Sequence, residues 1–261
     1  MVHLILTGAT GLVGSSVLAH ILSLPPSTSI SRLSILSRSP VPLASRKDRT
    51  NTTTQIEVIH HTDYQNYSAD VLAKLKGATG VIWAQGVSQN EVDAPTYVKI
   101  TKDYPLAAAK AFSGLTDDRL NFVYVSGEGA TYNPGRFTQI FARVKGETEL
   151  ALIDLAKQSP HSKTLKIYNT RPGGVDGTSQ PDVWDPIVAR RSFLWRCYMR
   201  VLLPAFRVFY GNMISPTPEL GKVLTELAMG DGKPLPSGRG VEGEGRLVRC
   251  VGLRRMGGLP I

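Results

Sequence analysis

The sequence has few of the features that mark secreted, metal-binding or membrane-spanning proteins. Cysteine occurs at 2 of 261 positions, and Cys197 and Cys250 fit neither a disulfide framework nor a metal-binding spacing. No uninterrupted apolar stretch reaches the ~18 residues that a membrane-spanning helix needs. Because the N-terminus already reads as a first strand, we expect no signal peptide and a reduced, cytoplasmic protein.

Acidic residues are outnumbered by basic ones, which gives the chain a formal net charge of +9. Such a surplus is one mark of nucleic-acid binding. However, the sequence contains no nucleic-acid-binding motif and no basic patch interleaved with aromatic residues. We therefore expect no nucleic-acid partner and attribute the charge to a phosphate-rich cofactor and a solvated surface. The composition leaves the oligomeric state open.

The N-terminus carries the most informative pattern. An apolar run over Val2–Leu6 is followed by three glycines spaced G-x-x-G-x-x-G and then by helical spacing over Ser15–Leu22. Strand, glycine turn and helix in this order are typical of a dinucleotide-binding fold. The residues expected to hold the cofactor here are Gly8, Thr10, Gly11, Leu12, Val13 and Gly14.

Each glycine of this motif has a predicted purpose. Gly8 permits the tight turn, Gly11 leaves room for a pyrophosphate, and Gly14 lets the helix pack closely on the strand. The N–H groups and dipole at the helix N-terminus would then attract the phosphates. The alternative is a glycine-rich turn that binds no ligand.

Strands and helices alternate through the first two thirds of the chain. Short apolar runs predict further strands at Arg32–Ser37, Ile56–His60, Gly80–Ala84, Asn121–Ser126 and Leu165–Thr170. Helical patterns lie between them at Ala69–Lys76, Pro95–Phe112 and Arg136–Gln158. This alternation predicts an α/β fold, a Rossmann-type doubly wound parallel sheet with a ligand at the carboxyl ends of the strands.

We expect residues 1–261 to form one NAD(P)-binding domain, in which 1–173 are the cofactor-binding core and 174–261 a C-terminal lid and tail. The polar stretch Ser39–Gln55 is expected to be an exposed, mobile loop. A helix is predicted over Pro218–Met229. Beyond Gly230 the high glycine content predicts irregular structure with one strand near Arg246–Val251.

The segment 190–209 allows two interpretations. Three arginines, Arg196, Arg200 and Arg207, fall on one helical face, and apolar and aromatic residues lie elsewhere around the wheel. Such a segment could make peripheral contact with an anionic membrane, or it could cover a substrate pocket. We favour the pocket lid.

Nearly the whole chain resembles an atypical group of short-chain dehydrogenases/reductases. This group contains the Tat-interacting oxidoreductase-like proteins and their fungal mitochondrial-outer-membrane relatives. The matching pieces are Thr7–Gly14, Ser37-Arg38, Asp63-Tyr64, Lys102–Tyr104, Tyr124–Ser126 with Gly129-Ala130, Val144–Glu147, Arg171–Gly173, Gly243–Arg246 and Leu253–Arg255. By this resemblance the protein is cytoplasmic or lies at the mitochondrial outer membrane.

The resemblance implies catalytic roles and exposes one departure. Enzymes of this family use a tyrosine and a lysine four residues apart on one helix, with a serine at the end of the fifth strand, for proton transfer. Ser126 matches the serine and Lys145 matches the lysine. In the family this lysine also holds the nicotinamide ribose. Phe141, however, stands at the tyrosine position. Tyr132 is a candidate replacement, and water, Ser126 or the substrate could also supply the proton. The alternatives are a strand-end hydroxyl at Ser126 and a solvated lysine at Lys145.

The resemblance also implies NADP(H) as the cofactor. No acidic residue lies between Arg32 and Lys47, and Arg38 matches the family position for a base that binds the 2′-phosphate. Asp63 matches the position that meets adenine. Arg38 could instead be a solvated loop residue, and Asp63 a turn former. Other expected cofactor contacts are Ala84 and Gly86 near the ribose or pyrophosphate, and Arg171, Pro172 and Gly173 at the nicotinamide end.

The sequence therefore favours an NADP(H)-binding oxidoreductase that acts on a small carbonyl or alcohol. Because phenylalanine cannot donate a proton, Phe141 keeps two alternatives open. One is a regulatory or scaffold protein that binds the cofactor without catalysis. The other is a non-redox isomerase or cyclase built on the same fold.

Overall fold

A twisted parallel sheet forms the centre of the molecule in the computed structural model, which describes residues 1–193, 196, 204, 206–207 and 209–261. Its strand order is β3-β2-β1-β4-β5-β6-β10-β9, and a separate two-stranded sheet pairs β7 with β8. The strands are β1 (Val2–Thr7), β2 (Ile30–Ser37), β3 (Gln55–His60), β4 (Gly80–Trp83), β5 (Leu120–Val125), β6 (Leu165–Arg171), β7 (Gly174–Asp176), β8 (Ile214–Pro216), β9 (Val241–Glu242) and β10 (Leu247–Arg249).

Pairing in the central sheet is parallel throughout except at one edge. The short strand β9 runs antiparallel to β10, and every other neighbouring pair is parallel. The order β3-β2-β1-β4-β5-β6 is that of the Rossmann fold, with β1 beside β4 at the point where the order reverses. The predicted α/β class and doubly wound sheet are confirmed.

Helices cover both faces of the sheet and bury its apolar residues. One core cluster joins the sheet to α1 (Leu12–Ser23), α7 (Thr217–Met229) and α8 (Cys250–Met256). The other joins it to α2 (Ala69–Leu75), α4 (Tyr104–Phe112) and α5 (Ile140–Lys157). Two further helices lie outside these clusters in the chain order: α3 (Ala94–Val98) follows β4, and α6 (Pro181–Ala189) follows β7.

The helical segment predicted over Pro95–Phe112 contains a π turn at Lys99–Asp103 between α3 and α4. Pro105 explains this turn, because proline has no N–H to donate to the carbonyl of Thr101, four residues earlier. That carbonyl instead accepts hydrogen bonds from the Tyr124 hydroxyl at 3.1 Å and the Thr148 hydroxyl at 3.3 Å. The π turn thereby ties α4 to β5, which leads into Ser126, and to α5, which carries Lys145.

Three expectations about connecting segments are wrong. The helix predicted from Arg136 begins at Ile140, and the helix Cys250–Met256 lies where irregular structure was expected. The loop Ser39–Gln55 is anchored rather than fully exposed. Within it the buried Asn51 side chain donates to the Ile21 carbonyl at 2.9 Å, and the Thr54 hydroxyl donates to the Ile30 carbonyl at 2.6 Å.

The segment 190–209 lies largely outside the described residues, so its predicted helical face is not described. Phe206 and Arg207 are described, and Arg207 pairs with the buried Asp176 at 2.6 Å. No helix within the described ranges is long and apolar enough to cross a membrane.

Candidate cofactor site

The glycine motif forms a tight turn between β1 and α1. Gly8 has a φ of +71°, and a Cβ there would lie 2.3 Å from the carbonyl oxygen of Ala84 on the neighbouring strand end. A Cβ on Gly14 would lie 2.1 Å from the carbonyl oxygen of Gly8. Both distances are too short for a side chain, so these two glycines are required by the protein's own packing.

Gly11 differs from its two neighbours in the motif because it faces open space. A Cβ there would meet only the Gly8 carbonyl oxygen, at an ordinary 3.4 Å. Gly11 is the N-cap of α1, no side chain caps this helix, and its first turn holds no acidic residue. The N–H groups of a 12-residue helix therefore point into free volume, which fits an anionic group such as a pyrophosphate.

This helix N-terminus opens into a cleft of about 820 Å³ at the carboxyl ends of β1, β4, β5 and β6. Its position is where Rossmann folds bind their ligands, at the switch in strand order. Most of the predicted site residues line it, namely Gly11, Leu12, Val13, Ala84, Gly86, Ser126, Lys145, Pro172 and Gly173.

The polar groups at the far end of the cleft are a lysine and a serine. The Lys145 ammonium, half-buried on α5, donates a hydrogen bond to the backbone carbonyl of Ser126 at 2.5 Å. The Ser126 hydroxyl is buried and has no hydrogen-bond partner among the described residues. Burial lowers the pKa of Lys145 to about 8, and the Glu149 carboxylate acts in the opposite direction.

Phe141 lies one helical turn before Lys145, and both side chains line the cleft. Its backbone N–H donates to the side-chain oxygen of Gln89 at 3.0 Å, which closes the first turn of α5. Gly129, with a φ of +94°, lies against the ring, since a Cβ there would be 3.3 Å from its Cζ. The phenyl ring therefore lies in the cleft at the position where the sequence resemblance implies a tyrosine.

Tyr132, the candidate replacement acid, is outside the described lining of the cleft. Its ring centroid lies 4.9 Å from the Arg171 guanidinium. Burial and the Glu149 carboxylate raise the pKa of Tyr132 above its ordinary value. Tyr132 is thus a weak acid that faces a neighbouring ion pair.

That ion pair accounts for Arg171, which was expected to wall the nicotinamide end. Arg171 donates to Glu149 through two nitrogens, from Nε at 2.9 Å and from Nη2 at 2.6 Å. Both side chains are buried, and each neutralises the charge of the other. Arg171 thereby fixes the backbone that leads into Pro172 and Gly173, but its own side chain lies behind the cleft wall.

The residues expected at the adenosine end lie apart from the cleft lining. Arg38 is exposed just after β2 and makes no hydrogen bond or ion pair with the described residues. Asp63 forms a turn, in which its carboxylate accepts from the Gln65 backbone N–H at 3.1 Å and the Asn66 amide at 2.8 Å. These bonds lower the pKa of Asp63.

A second cavity, of about 410 Å³, lies beside the glycine turn and includes Thr10 in its lining. Arg46, a basic residue in the loop that follows β2, also lines this cavity. However, its guanidinium is bound to Asp48 and Asp182, each at 2.5 Å. Two carboxylates therefore already neutralise Arg46, which leaves Arg38 as the freer base near the end of β2.

Sequence reasoning missed three residues that build the site. Glu149 pairs with Arg171, Gln89 closes the start of α5, and Glu128 joins the cleft to the C-terminal segment. The Glu128 carboxylate accepts from Arg249 Nε at 2.9 Å and from the backbone N–H of Cys250 at 3.1 Å, at the start of α8. Glu149 alone carried a local signal, because it lies one helical turn after Lys145.

Two proteins of fungal biosynthesis clusters are similar to the chain in sequence, and no family model matches it. The leucinostatins biosynthesis cluster protein T of Purpureocillium lilacinum is 34% identical over 97% of this chain and 94% of its own length. The botcinic acid biosynthesis cluster B protein 16 of Botryotinia fuckeliana is 40% identical over 59% of this chain and 98% of its own length.

Solved structures with the same fold include two short-chain dehydrogenases/reductases. One from Mycobacterium ulcerans is 14% identical with a TM-score of 0.64, over 97% of this chain and 89% of that one. One from Burkholderia thailandensis is 11% identical with a TM-score of 0.64, over 96% and 91%. A third, the dTDP-glucose 4,6-dehydratase DesIV of Streptomyces venezuelae with NAD bound, is 14% identical with a TM-score of 0.59, over 98% and 79%.

Identities this low establish the fold and leave the reaction open. The full-length match to protein T establishes the closer relationship. The chain belongs to the family of the leucinostatins biosynthesis cluster protein T and has the Rossmann fold of the short-chain dehydrogenases/reductases.

Proposed function

We propose that this protein is a nicotinamide-dependent oxidoreductase that interconverts a carbonyl compound and an alcohol, with NADP(H) as its preferred cofactor. One observation carries the proposal. A single cleft joins the open N-terminus of α1 to the polar pair of Ser126 and Lys145. A dinucleotide has the same layout, with a pyrophosphate in the middle and a reactive ring at one end.

The residues present fit such a cofactor. Gly11 leaves free volume in front of the α1 N-terminus, and Gly86 faces space in which a Cβ would meet nothing within 4 Å. We assign the pyrophosphate to Gly8, Thr10, Gly11, Leu12, Val13 and Gly14, the ribose to Lys145, and the nicotinamide to the wall of Pro172 and Gly173. Asp63, Ala84 and Gly86 would lie along the adenosine half. When bound, the nicotinamide supplies hydride chemistry.

The preference for NADP(H) rests on Arg38. It is exposed, it makes no hydrogen bond or ion pair with the described residues, and no acidic residue lies between Arg32 and Lys47 to bind a ribose hydroxyl. A guanidinium can hold a 2′-phosphate through two parallel hydrogen bonds. Arg38 would therefore stabilise NADP(H) more than NAD(H).

The names of the two relatives support a substrate from fungal specialised metabolism. Both are products of biosynthesis clusters, one for leucinostatins and one for botcinic acid. We propose a carbonyl intermediate of such a pathway as the substrate, held in the cleft between Ser126 and the apolar side chains of Val175, Phe206 and Met213.

The test has two steps. Fluorescence titration of the purified protein with NADPH and with NADH measures binding. Incubation with NADPH and a panel of aliphatic and aromatic aldehydes, followed by absorbance at the nicotinamide band, then measures reduction. We expect binding of both cofactors, tighter for NADPH, and turnover of at least one aldehyde. Absence of cofactor binding would contradict the proposal.

Phe141 favours a second candidate, a non-redox isomerase or cyclase that uses the same cleft. A phenyl ring at this position removes the usual acid of the short-chain dehydrogenases/reductases, and a non-redox reaction in this cleft need not use that acid. A protein that binds NADPH but reduces no carbonyl would support this candidate, or the regulatory role that binding alone would serve. The closer resemblance to the Tat-interacting group and its mitochondrial-outer-membrane branch stays a prediction.

A further inference from the structure

Proton donors are scarce in the described part of the cleft. Its ionisable lining side chains are Glu91, Glu128, Lys145 and Arg191, and no tyrosine or histidine is among the described lining residues. The Arg191 guanidinium lies 2.9 Å from Glu91, and Arg249 holds Glu128. Both carboxylates are therefore held in ion pairs with arginines, and Lys145 is the ionisable lining side chain that we consider as the acid.

Lys145 also has the right surroundings to act on a bound molecule. Its Nζ donates to the Ser126 carbonyl at 2.5 Å, which holds the ammonium at the carboxyl end of β5. Gly127 follows Ser126, and a Cβ there would come within 3.4 Å of the Lys145 Nζ. The buried Ser126 hydroxyl has no partner among the described residues and remains able to bind an oxygen of the substrate.

We infer that the Lys145 ammonium itself gives the proton to the substrate carbonyl oxygen, which the Ser126 hydroxyl holds, and so replaces the aromatic hydroxyl that Phe141 lacks. This inference rests on the proposed function. In the reduction the carbonyl π bond breaks and its carbon gains the hydride of a reduced nicotinamide. The oxygen takes a proton from Lys145 as the N–H bond breaks, and the neutral amine regains a proton from water.

The charges around Lys145 suit this role. Burial lowers the pKa of Lys145 to about 8, so the ammonium gives up a proton more readily than an ordinary lysine. Glu149, on the same helix, opposes that shift, but Arg171 takes both of its oxygens. From the loops around the cleft, Glu91 and Glu128 face the site with their arginine partners.

The experiment compares wild type with Lys145→Arg and with Lys157→Arg, a matched control on the exposed face of the same helix. Arginine keeps the positive charge but stays protonated at every accessible pH, so it cannot serve as an acid. We would measure NADPH binding by fluorescence, the pH profile of kcat/KM with the aldehyde panel, and the titration of ¹³C-dimethylated lysines by NMR. The Lys145 signal is assigned by its absence in Lys145→Arg.

We expect kcat/KM of the wild type to fall above a pH of about 8, where the Lys145 signal also titrates. Lys145→Arg should bind NADPH within a few-fold of wild type, lose ~10²-fold or more in kcat, and lose the alkaline fall. Lys157→Arg should match wild type in every respect.

Two contrary results have different meanings. If Lys145→Arg retains kcat, or keeps the alkaline fall, the proton comes from elsewhere and the proposed function survives without this inference. If the wild type binds no NADPH, or binds it and reduces no aldehyde, the proposed function fails and this inference fails with it. Circular dichroism of each variant and a Lys145→Met variant separate loss of folding from loss of the acid.

Discussion

The N-termini of two helices lie at the same cleft, and they differ in whether their backbone N–H groups are capped by the protein. The N-terminus of α1 begins at Gly11, has no side-chain cap and opens into free volume. The N-terminus of α5 is covered, because Gln89 accepts its Phe141 N–H at 3.0 Å and the Phe141 ring faces the cleft. Each helix N-terminus carries the positive end of a helix dipole. Of these two, the α1 N-terminus is open to an anion and the α5 N-terminus is not.

This difference fits the proposed function, in which one end of the cleft binds the cofactor and the other end performs the chemistry. At α1 the protein supplies backbone N–H groups and no side chain, which suits a phosphate whatever molecule carries it. At α5 it supplies Lys145 and the neighbouring Ser126, which suit a polar reacting atom. Substitutions that alter one region of the site at a time should therefore differ in the size of their effects.

The largest effect is expected for Gly11→Val at the open helix end. A branched side chain would occupy the free volume in front of α1 and exclude the pyrophosphate, with the loss of several charge-assisted hydrogen bonds of ~1.5–3 kcal/mol each. Binding of NADPH should therefore fall beyond detection while the circular dichroism spectrum stays native. Gly114→Val, at an exposed turn with open space around its Cβ, is the control and should bind normally. Normal binding by Gly11→Val would move the phosphate site elsewhere.

Phe141→Tyr alters the closed helix end and should raise carbonyl reduction. The new hydroxyl would lie one turn from Lys145, whose charge favours the phenolate and lowers its pKa. Because Lys145 already supplies a proton, the gain should fall at the low end of the ~10²–10⁴-fold range for positioned acids.

Steady-state rates with the aldehyde panel measure this gain. Adding Lys145→Ala to Phe141→Tyr should remove it, since the two side chains act as a unit. Phe137→Tyr, on a ring that is 93% exposed, is the control. An unchanged rate in Phe141→Tyr with intact NADPH binding would favour the regulatory and non-redox alternatives.

Arg38→Ala should have a smaller and more selective effect. Removing the base that we assign to the 2′-phosphate is expected to weaken NADPH binding about tenfold, or ~1.4 kcal/mol, and to leave NADH unchanged. Titration of both cofactors checks the difference. Lys47→Ala, on an exposed lysine of the same loop, should change neither affinity. Equal affinities of the wild type for the two cofactors would refute the assignment of Arg38.

The smallest effect is expected for Gln89→Ala, which would remove the hydrogen bond at the start of α5. One neutral hydrogen bond contributes ~0.5–1.5 kcal/mol, so the free energy of unfolding in urea should fall by about that amount. NADPH binding at α1 should not change. Gln65→Ala, on an exposed glutamine, is the control. A loss of NADPH binding in Gln89→Ala would show that the two helix ends are coupled.

The sequence predicted the sheet and the open helix end because both have local signals. Six strands of the central sheet are short apolar runs, and the glycine motif lies within seven residues, Gly8–Gly14. Glycine is needed at positions 8 and 14 because another part of the backbone lies too close to leave room for a side chain. The motif alone predicts these close contacts.

The closed end of the cleft could not be predicted in the same way, because it depends on contacts between distant residues. Arg171 meets Glu149 22 residues away, and Arg249 meets Glu128 121 residues away. No periodicity links such pairs. For the same reason the sequence suggested Tyr132 as an acid, whereas its ring stacks on the Arg171 guanidinium instead of joining the described cleft lining.

The most direct test of the account is a crystal structure of the protein with NADP⁺. We expect the pyrophosphate to lie at the α1 N-terminus, in contact with the backbone of Gly11, Leu12 and Val13. The 2′-phosphate should lie beside Arg38, and the nicotinamide should face Ser126 and Lys145. A dinucleotide bound outside this cleft, or bound with its nicotinamide pointing away from Lys145, would contradict it.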